Sequence, residues 1–204
     1  MRAADVKNRL IAISEILNLI KCLDGEYVEA GPSGDITRDR INVAPTGRNF
    51  YSVDPLSIPT RSAYEVGKKL GVKLLERYKA EEGRIPETVT FVEWFTDPTN
   101  TDGEQIAEIL FLLGVRPVWD VDRVVGLEAI PLEELKRPRI DVVVRIGGLF
   151  RDTCPSLIEL IDEAISKVSS LDEPPELNFV RKHLLENGVK FRILGENQAH
   201  MEPG

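Results

Sequence analysis

The chain has 204 residues, 42% of them hydrophobic and 6% aromatic, with a formal net charge of -8 and a pI near 5.0. That length can bury one sizeable core, or one core with an appended helical segment. The acidic balance and the dispersed Lys and Arg exclude the clustered basic surface that holds nucleic acid. No apolar stretch approaches the roughly 20 residues needed to span a bilayer, and no basic region precedes an apolar one at the N-terminus, so a cytoplasmic location is expected.

In chain order, residues 5–23 predict a helix, because Val6, Leu10, Ile13, Leu17 and Ile20 fall on one stripe. Ile11, Ile16 and Leu19 widen that stripe, so the helix should meet the core or protein outside this chain. Residues 25–60 turn to Gly, Pro, Asp and Asn without period and read as a long loop, a length usual for functional or packed segments. Residues 64–80 predict a second helix, stopped by Gly83 and Pro86. A strand over 88–95 follows from the run Val89, Phe91, Val92, Trp94 and Phe95. A turn over 97–103 leads to a helix over 104–113, capped by Gly114, and a strand over 115–119.

A short helical turn at 132–135 precedes the most strand-like segment, residues 141–146, which is β-branched with little polar alternation and reads as a parallel strand covered on both faces. Gly147-Gly148 then turns into Arg151-Asp152, and from Pro155 the apolar period is helical through Val168. Residues 178–187 predict a last helix, Gly188 its stop, and 189–194 a short strand; 195–204 have neither period nor cap. The expected class is α/β: three layers, a mostly parallel sheet with flanking helices, plus an N-terminal helix and a long irregular segment. The expected division is 1–60, packed on the core, and 61–204, the α/β domain.

Chemistry-bearing residues fall in a few places. Arg48, Asn49, Phe50, Tyr51 and Asp54 lie in one short stretch suited to a binding loop, where a guanidinium can hold a carboxylate and rings can stack on a flat ligand. On composition alone, bracing of Arg48 by Asp54 is slightly the better account. Thr101-Asp102-Gly103-Glu104 reads first as a helix cap. Gly147-Gly148 marks the carboxyl end of a strand meeting a helix start, where open α/β folds bind ligands, but the chain has neither nucleotide-binding glycine motif. Cys22 and Cys154 lack a metal spacing, and Cys154 at a helix start reads as a small buried residue before a nucleophile. His183 and His200 form no ligand pair, and a lone helical histidine is more often structural.

Taken in order, several stretches resemble the large subunit of cobaltochelatase, homologous to the H subunit of magnesium chelatase. They are Leu23-Asp24-Gly25-Glu26-Tyr27-Val28, Gly31-Pro32-Ser33-Gly34-Asp35, Pro45-Thr46-Gly47-Arg48-Asn49, Val53-Asp54-Pro55, Thr101-Asp102-Gly103-Glu104, Leu112-Leu113-Gly114-Val115-Arg116-Pro117-Val118-Trp119-Asp120, and residues 137–152 and 171–183. The resemblance runs over about residues 8–187. Departures fall at Phe95, at Asp97-Pro98, at Gly147-Gly148, where the family often has Ser-Gly, and at Cys154.

The resemblance implies ATP-dependent insertion of a divalent metal into a tetrapyrrole, in cobalamin or related biosynthesis. The metal is a substrate, cobalt first, with magnesium or nickel as alternatives. ATP is used by separate AAA+ and integrin-like subunits, consistent with the missing P-loop. Family members are several times longer and continue past a Pro-Gly like Pro203-Gly204, so the expectation is an internal piece of the large subunit, or a split-gene product, inactive alone. Arg48, Asn49, Arg145, Arg151 and His183 are the candidate tetrapyrrole contacts, and Asp54, Glu104 and Asp152 the candidate metal-guiding or bracing carboxylates. No catalytic acid or base is assigned. Two rival readings are a module that docks AAA+ partners or other domains of the subunit through the stripe of residues 5–23, and an unrelated small-molecule binder using the crevice at Gly147.

Overall fold

A computed structural model of the chain describes residues 7–8, 14–33, 43–51, 54–187 and 193–195. Residues 5–6 and 9–13 of the expected first helix, the Gly34-Asp35 and Val53 positions of the quoted stretches, the helix stop at Gly188, the start of the last strand, His200 and the tail after 195 lie outside the described residues. The chain divides into two compact units, Met1–Asp54 with Thr99–Thr101, and Pro55–Pro98 with Asp102–Gly204.

In the first unit, helix α1 (Glu15–Leu23) is held to its own chain by polar groups. Ser14 Oγ donates to the Thr46 carbonyl at 3.1 Å and Asn18 Nδ2 to the Gly47 carbonyl at 2.9 Å. Thr46 Oγ1 donates to Glu15 Oε1 at 2.7 Å. Gly47 has a φ of +95°, and a Cβ there would fall 2.6 Å from the Glu15 backbone, so only glycine lets this turn press against the helix. Inside the segment expected as a loop, β1 (Gly31–Pro32) and β2 (Asn49–Tyr51) pair in parallel, with the Gly31 N–H donating to the Arg48 carbonyl at 2.6 Å. Val43 and Ala44 are buried.

The second unit opens with a 3-10 turn, Pro55–Ser57, and helix α2 (Arg61–Glu82). Thr60 caps α2 by accepting from the Ala63 N–H, and Gly83 ends it in the left-handed region. Strand β3 (Thr88–Glu93) ends two residues before the apolar run does, because the Trp94 N–H is taken by Asp97 Oδ2 at 3.3 Å. The expected turn over 97–103 is instead helix α3 (Thr96–Thr101), closed by the left-handed Asp102 and Gly103. Helix α4 (Glu104–Leu113) buries seven of its ten residues and ends at Gly114. It packs directly on α2: a Cβ at Gly67 would fall 2.5 Å from the Glu104 carbonyl oxygen, and one at Gly71 2.5 Å from the Phe111 ring.

Strand β4 (Val115–Asp120) lies outside the parallel sheet that the element order predicts. It pairs antiparallel with β5 (Arg123–Ala129), a strand the sequence reading does not anticipate. The turn between them has no Asn-Gly or Asp-Gly signal, and Val121 holds a φ of +52°, an uncommon conformation for a β-branched residue. After the short helix α5 (Leu132–Leu135), β6 (Asp141–Ile146) pairs in parallel with β3, Thr88 opposite Asp141 and Glu93 opposite Ile146. Strand β7 (Ile193–Gly195) pairs in parallel on its other side, giving the order β3-β6-β7.

Val142, Val144 and Ile146 are buried, whereas Val143 is half-buried and Arg145 exposed, so β6 is covered fully on one face only, against the expectation of two. Helices α6 (Gly148–Thr153), α7 (Pro155–Ser169) and α8 (Phe179–Asn187) follow. Pro155 starts α7 where its missing N–H costs nothing, and Leu157, Ile161, Ala164, Ile165 and Val168 are buried along it. Asn178 caps α8 by accepting from the Arg181 N–H at 3.0 Å. Parallel sheet and flanking helices make the fold α/β, as the sequence predicts.

Candidate functional site

The first unit contains a groove of about 620 Å³ lined by Tyr27, Glu29, Arg48, Asn49, Phe50 and other residues of the same unit. Arg48 ends the turn after Gly47, and the β1–β2 pairing sets it against Gly31, where a Cβ would fall 2.8 Å from Arg48 Cγ. Its Nη1 lies 3.7 Å from Glu29 Oε2, a loose and exposed ion pair that leaves the guanidinium at the groove. Asn49 Oδ1 accepts from the Gly47 N–H at 3.2 Å, fixing the amide over the turn. Tyr27 and Phe50 are each 84% exposed, so two aromatic faces border the same groove. The site therefore combines flat apolar surface with a cation and an amide. Asp54 is exposed in this unit too, and the bracing expected of it for Arg48 is supplied by Glu29.

In the second unit the sequence-selected residues fall into separate places. Arg145 lies near the carboxyl end of β6, and Arg151 and Asp152 on α6 just beyond it. Arg151 Nε and Asp152 Oδ1 are 2.8 Å apart on the surface, and that bond holds the Asp152 carboxyl below its usual range. Gly147 donates its N–H to the Glu93 carbonyl at 3.1 Å, and a Cβ there would fall 3.2 Å from the Trp94 ring, so the tryptophan lies close against this turn. Glu104 is the first residue of α4, its backbone carbonyl packed at Gly67.

His183 is at the other end of the sheet. Its Nδ1 lies 2.7 Å from Oδ2 of Asp141, the first residue of β6, and its Nε2 3.3 Å from Glu87 Oε2 just before β3. Lys182 Nζ donates to the same Glu87 oxygen at 2.7 Å, and Lys182 first, with His183 behind it, holds the Glu87 carboxyl below its usual range. Both ring nitrogens are engaged by carboxylates, so His183 pins α8 to the sheet. A site shared by Arg151 and His183 is not assembled: the six-residue strand β6 separates them. Among the described residues, no three His, Cys, Asp or Glu side chains are placed to hold a metal ion.

Sequence reasoning passed over the most unusual groups. Arg139 is 1% exposed; it donates to Glu173 through Nε and Nη2 at 2.7 and 2.9 Å, to the Gly114 carbonyl at 2.7 Å and to the Ile130 carbonyl at 2.7 Å. Arg137 lies over the Phe111 ring, its centre 4.5 Å from the ring centroid, and burial lowers its guanidinium to about 10. Glu93 ends β3 with 0% exposure and neither carboxyl oxygen paired. Burial, with Asp97 and Glu108 adding negative charge, pushes its carboxyl up to about 8. Burial alone pushes Glu108 up to about 7. Cys154 is buried, and that burial raises its thiol, in keeping with its reading as a small buried residue. The signal for Glu93 was present in the sequence as a lone carboxylate inside an otherwise apolar run.

The chain matches the CobN/Magnesium Chelatase family over residues 1–202. An uncharacterised protein of Methanocaldococcus jannaschii, MJ1441, is 54% identical over 191 residues, 92% of this chain and 16% of its own length. The chloroplastic magnesium-chelatase subunit ChlH of Oryza sativa subsp. indica is 46% identical over 186 residues, 90% of this chain and 13% of its own. The solved catalytic subunit of cobaltochelatase from Mycobacterium tuberculosis superposes with a TM-score of 0.82 at 47% identity, over 89% of this chain and 16% of that one. The chain thus spans about one-sixth or less of the relatives it matches. Sequence and fold agree along nearly its whole length: the chain belongs to the CobN/magnesium chelatase family.

Proposed function

We propose that this chain is part of the large subunit of a metal chelatase, and that its first unit supplies a wall against which a tetrapyrrole rests. The observation that carries this reading is the groove in which the exposed faces of Tyr27 and Phe50 stand beside Arg48 and Asn49. A tetrapyrrole is a flat apolar ring edged with carboxylate or amide groups. Aromatic faces stack on such a ring, and a guanidinium with an adjacent amide binds its edge. Arg145 and Arg151, at the carboxyl end of β6, are secondary candidates for carboxylate contacts, and His183 is assigned to bracing instead. Asp54, Glu104 and Asp152 are proposed only as guides for an incoming cation.

The metal is the substrate, and we place cobalt before magnesium or nickel because of the likeness to the solved cobaltochelatase subunit. ATP hydrolysis is assigned to AAA+ and integrin-like partner subunits, and the assembly to the cytoplasm. Among the described residues no helix is long and apolar enough to cross a membrane.

The test is an absorbance titration of the complete large subunit with hydrogenobyrinic acid diamide and with a porphyrin. Arg48→Ala and Phe50→Ala should each weaken binding about five- to tenfold, the loss expected of one charged contact or one stacked ring. Unchanged affinity in both variants would overturn the wall. Insertion rates with cobalt, magnesium and nickel ions in the assembled enzyme rank the metals.

A further inference from the structure

Helix α1 is amphipathic in the inverse sense for a helix resting on its own unit. At 100° per residue, Ile16, Leu19, Ile20 and Leu23 lie within an arc of about 100°, and Leu17 widens it on one flank. Ser14 and Asn18, whose side chains bond to the Thr46 and Gly47 carbonyls, project from the opposite side. The polar side is therefore turned inward and the apolar side outward. The five apolar residues are 49% to 78% exposed, and no residue of the helix is buried. A contiguous apolar face of this kind is uncommon on a finished surface and marks a contact.

We propose that the outward face of α1 is the permanent seat of another segment of the chelatase large subunit. Two observations choose this occupant over a transient partner. The arc formed by Ile16, Leu19, Ile20 and Leu23 contains no charged residue, and such faces resemble a core cut in half, as in permanent assemblies, whereas transient docking surfaces keep a larger polar share. In the relatives, the matched region is only 13% to 16% of one polypeptide, so most of that subunit is available to cover it. The inference depends on the family membership and is independent of the tetrapyrrole wall, since the groove and the apolar arc involve different side chains.

Hydroxyl-radical footprinting read by mass spectrometry tests it on the complete large subunit without its partner subunits. The side chains of Ile16, Leu19 and Leu23 should be oxidised roughly tenfold more slowly in the complete subunit than in a free peptide of residues 14–24, as expected for buried against open positions. Adding the ATP-hydrolysing subunits should change that protection little. Oxidation at the open-surface rate in the large subunit alone would overturn the proposal. Protection that arises only with the partner subunits, or only with rising concentration of the large subunit, would also overturn it, by assigning the face to those subunits or to a second copy. A tetrapyrrole titration of the same sample keeps the two readings apart, since the wall can fail while α1 stays protected.

Discussion

Helices α1 and α7 have nearly the same apolar rhythm and opposite fates. In the second unit, α7 buries Leu157, Ile161, Ala164, Ile165 and Val168, while in the first unit α1 leaves Ile16, Leu17, Leu19, Ile20 and Leu23 open. The contrast extends to charge. The second unit is closed enough to bury Arg139 and give its guanidinium carbonyl and carboxylate partners, and to bury Glu93 with none. The first unit holds its helix through exposed or half-buried hydroxyl and amide groups. Periodicity reports that a helix has two unlike faces; it does not report which face its own chain will cover. The second unit buries its helix faces and its Arg139 cluster, and the first leaves an apolar helix face exposed.

The largest test of that contrast is Arg139→Leu. It strands Glu173 and two buried carbonyls, and should destabilise the chain by roughly 3 to 5 kcal/mol in urea denaturation. A loss below about 1 kcal/mol would mean that the second unit is not organised around this cluster.

Glu93 is next, and its effect depends on pH. The folded carboxyl keeps its proton to about 8, whereas the unfolded one releases it near 4.5. Between these values the folded state binds more protons, so stability falls as pH rises and levels off above 8. Glu93→Gln should match the parent near pH 5 and exceed it at pH 9 by roughly 3 to 5 kcal/mol. Parallel stability curves for the two proteins would show that the carboxyl is not buried as described. Gly67→Ala comes third, because its Cβ would meet the α4 backbone at 2.5 Å. It should cost about 1 to 3 kcal/mol of overpacking, read as a lower Tm. At the small end, Leu19→Ser should leave the stability of this chain within about 0.5 kcal/mol, since the side chain is 60% exposed. A large loss there would erase the difference between the two units.

Much of the second unit is legible in the sequence because its elements are bounded by local chemistry. Gly83 and Gly114 stop helices α2 and α4, Pro155 starts α7, and the β-branched run from Val142 to Ile146 is a strand. Strand β5 is not legible, since its register depends on β4 and on a turn that holds Val121 at positive φ. The binding stretch at Arg48 is visible as a concentration of chemistry, but the partner of Arg48 is Glu29, from a segment no spacing rule connects to it. His183 reads as a lone helical residue until Asp141 and Glu87, 42 and 96 positions before it in the chain, are brought to either side of its ring.

The amino-acid order alone determined the family and the class of the fold, together with the position of most helices and strands, because local propensity, capping and hydrophobic period act over a few residues. Which charges are buried and paired, which strand pairs with which, and which face of α1 remains open were decided by the tertiary structure. Those outcomes depend on water being excluded by residues distant in sequence, and no local pattern states where that exclusion occurs.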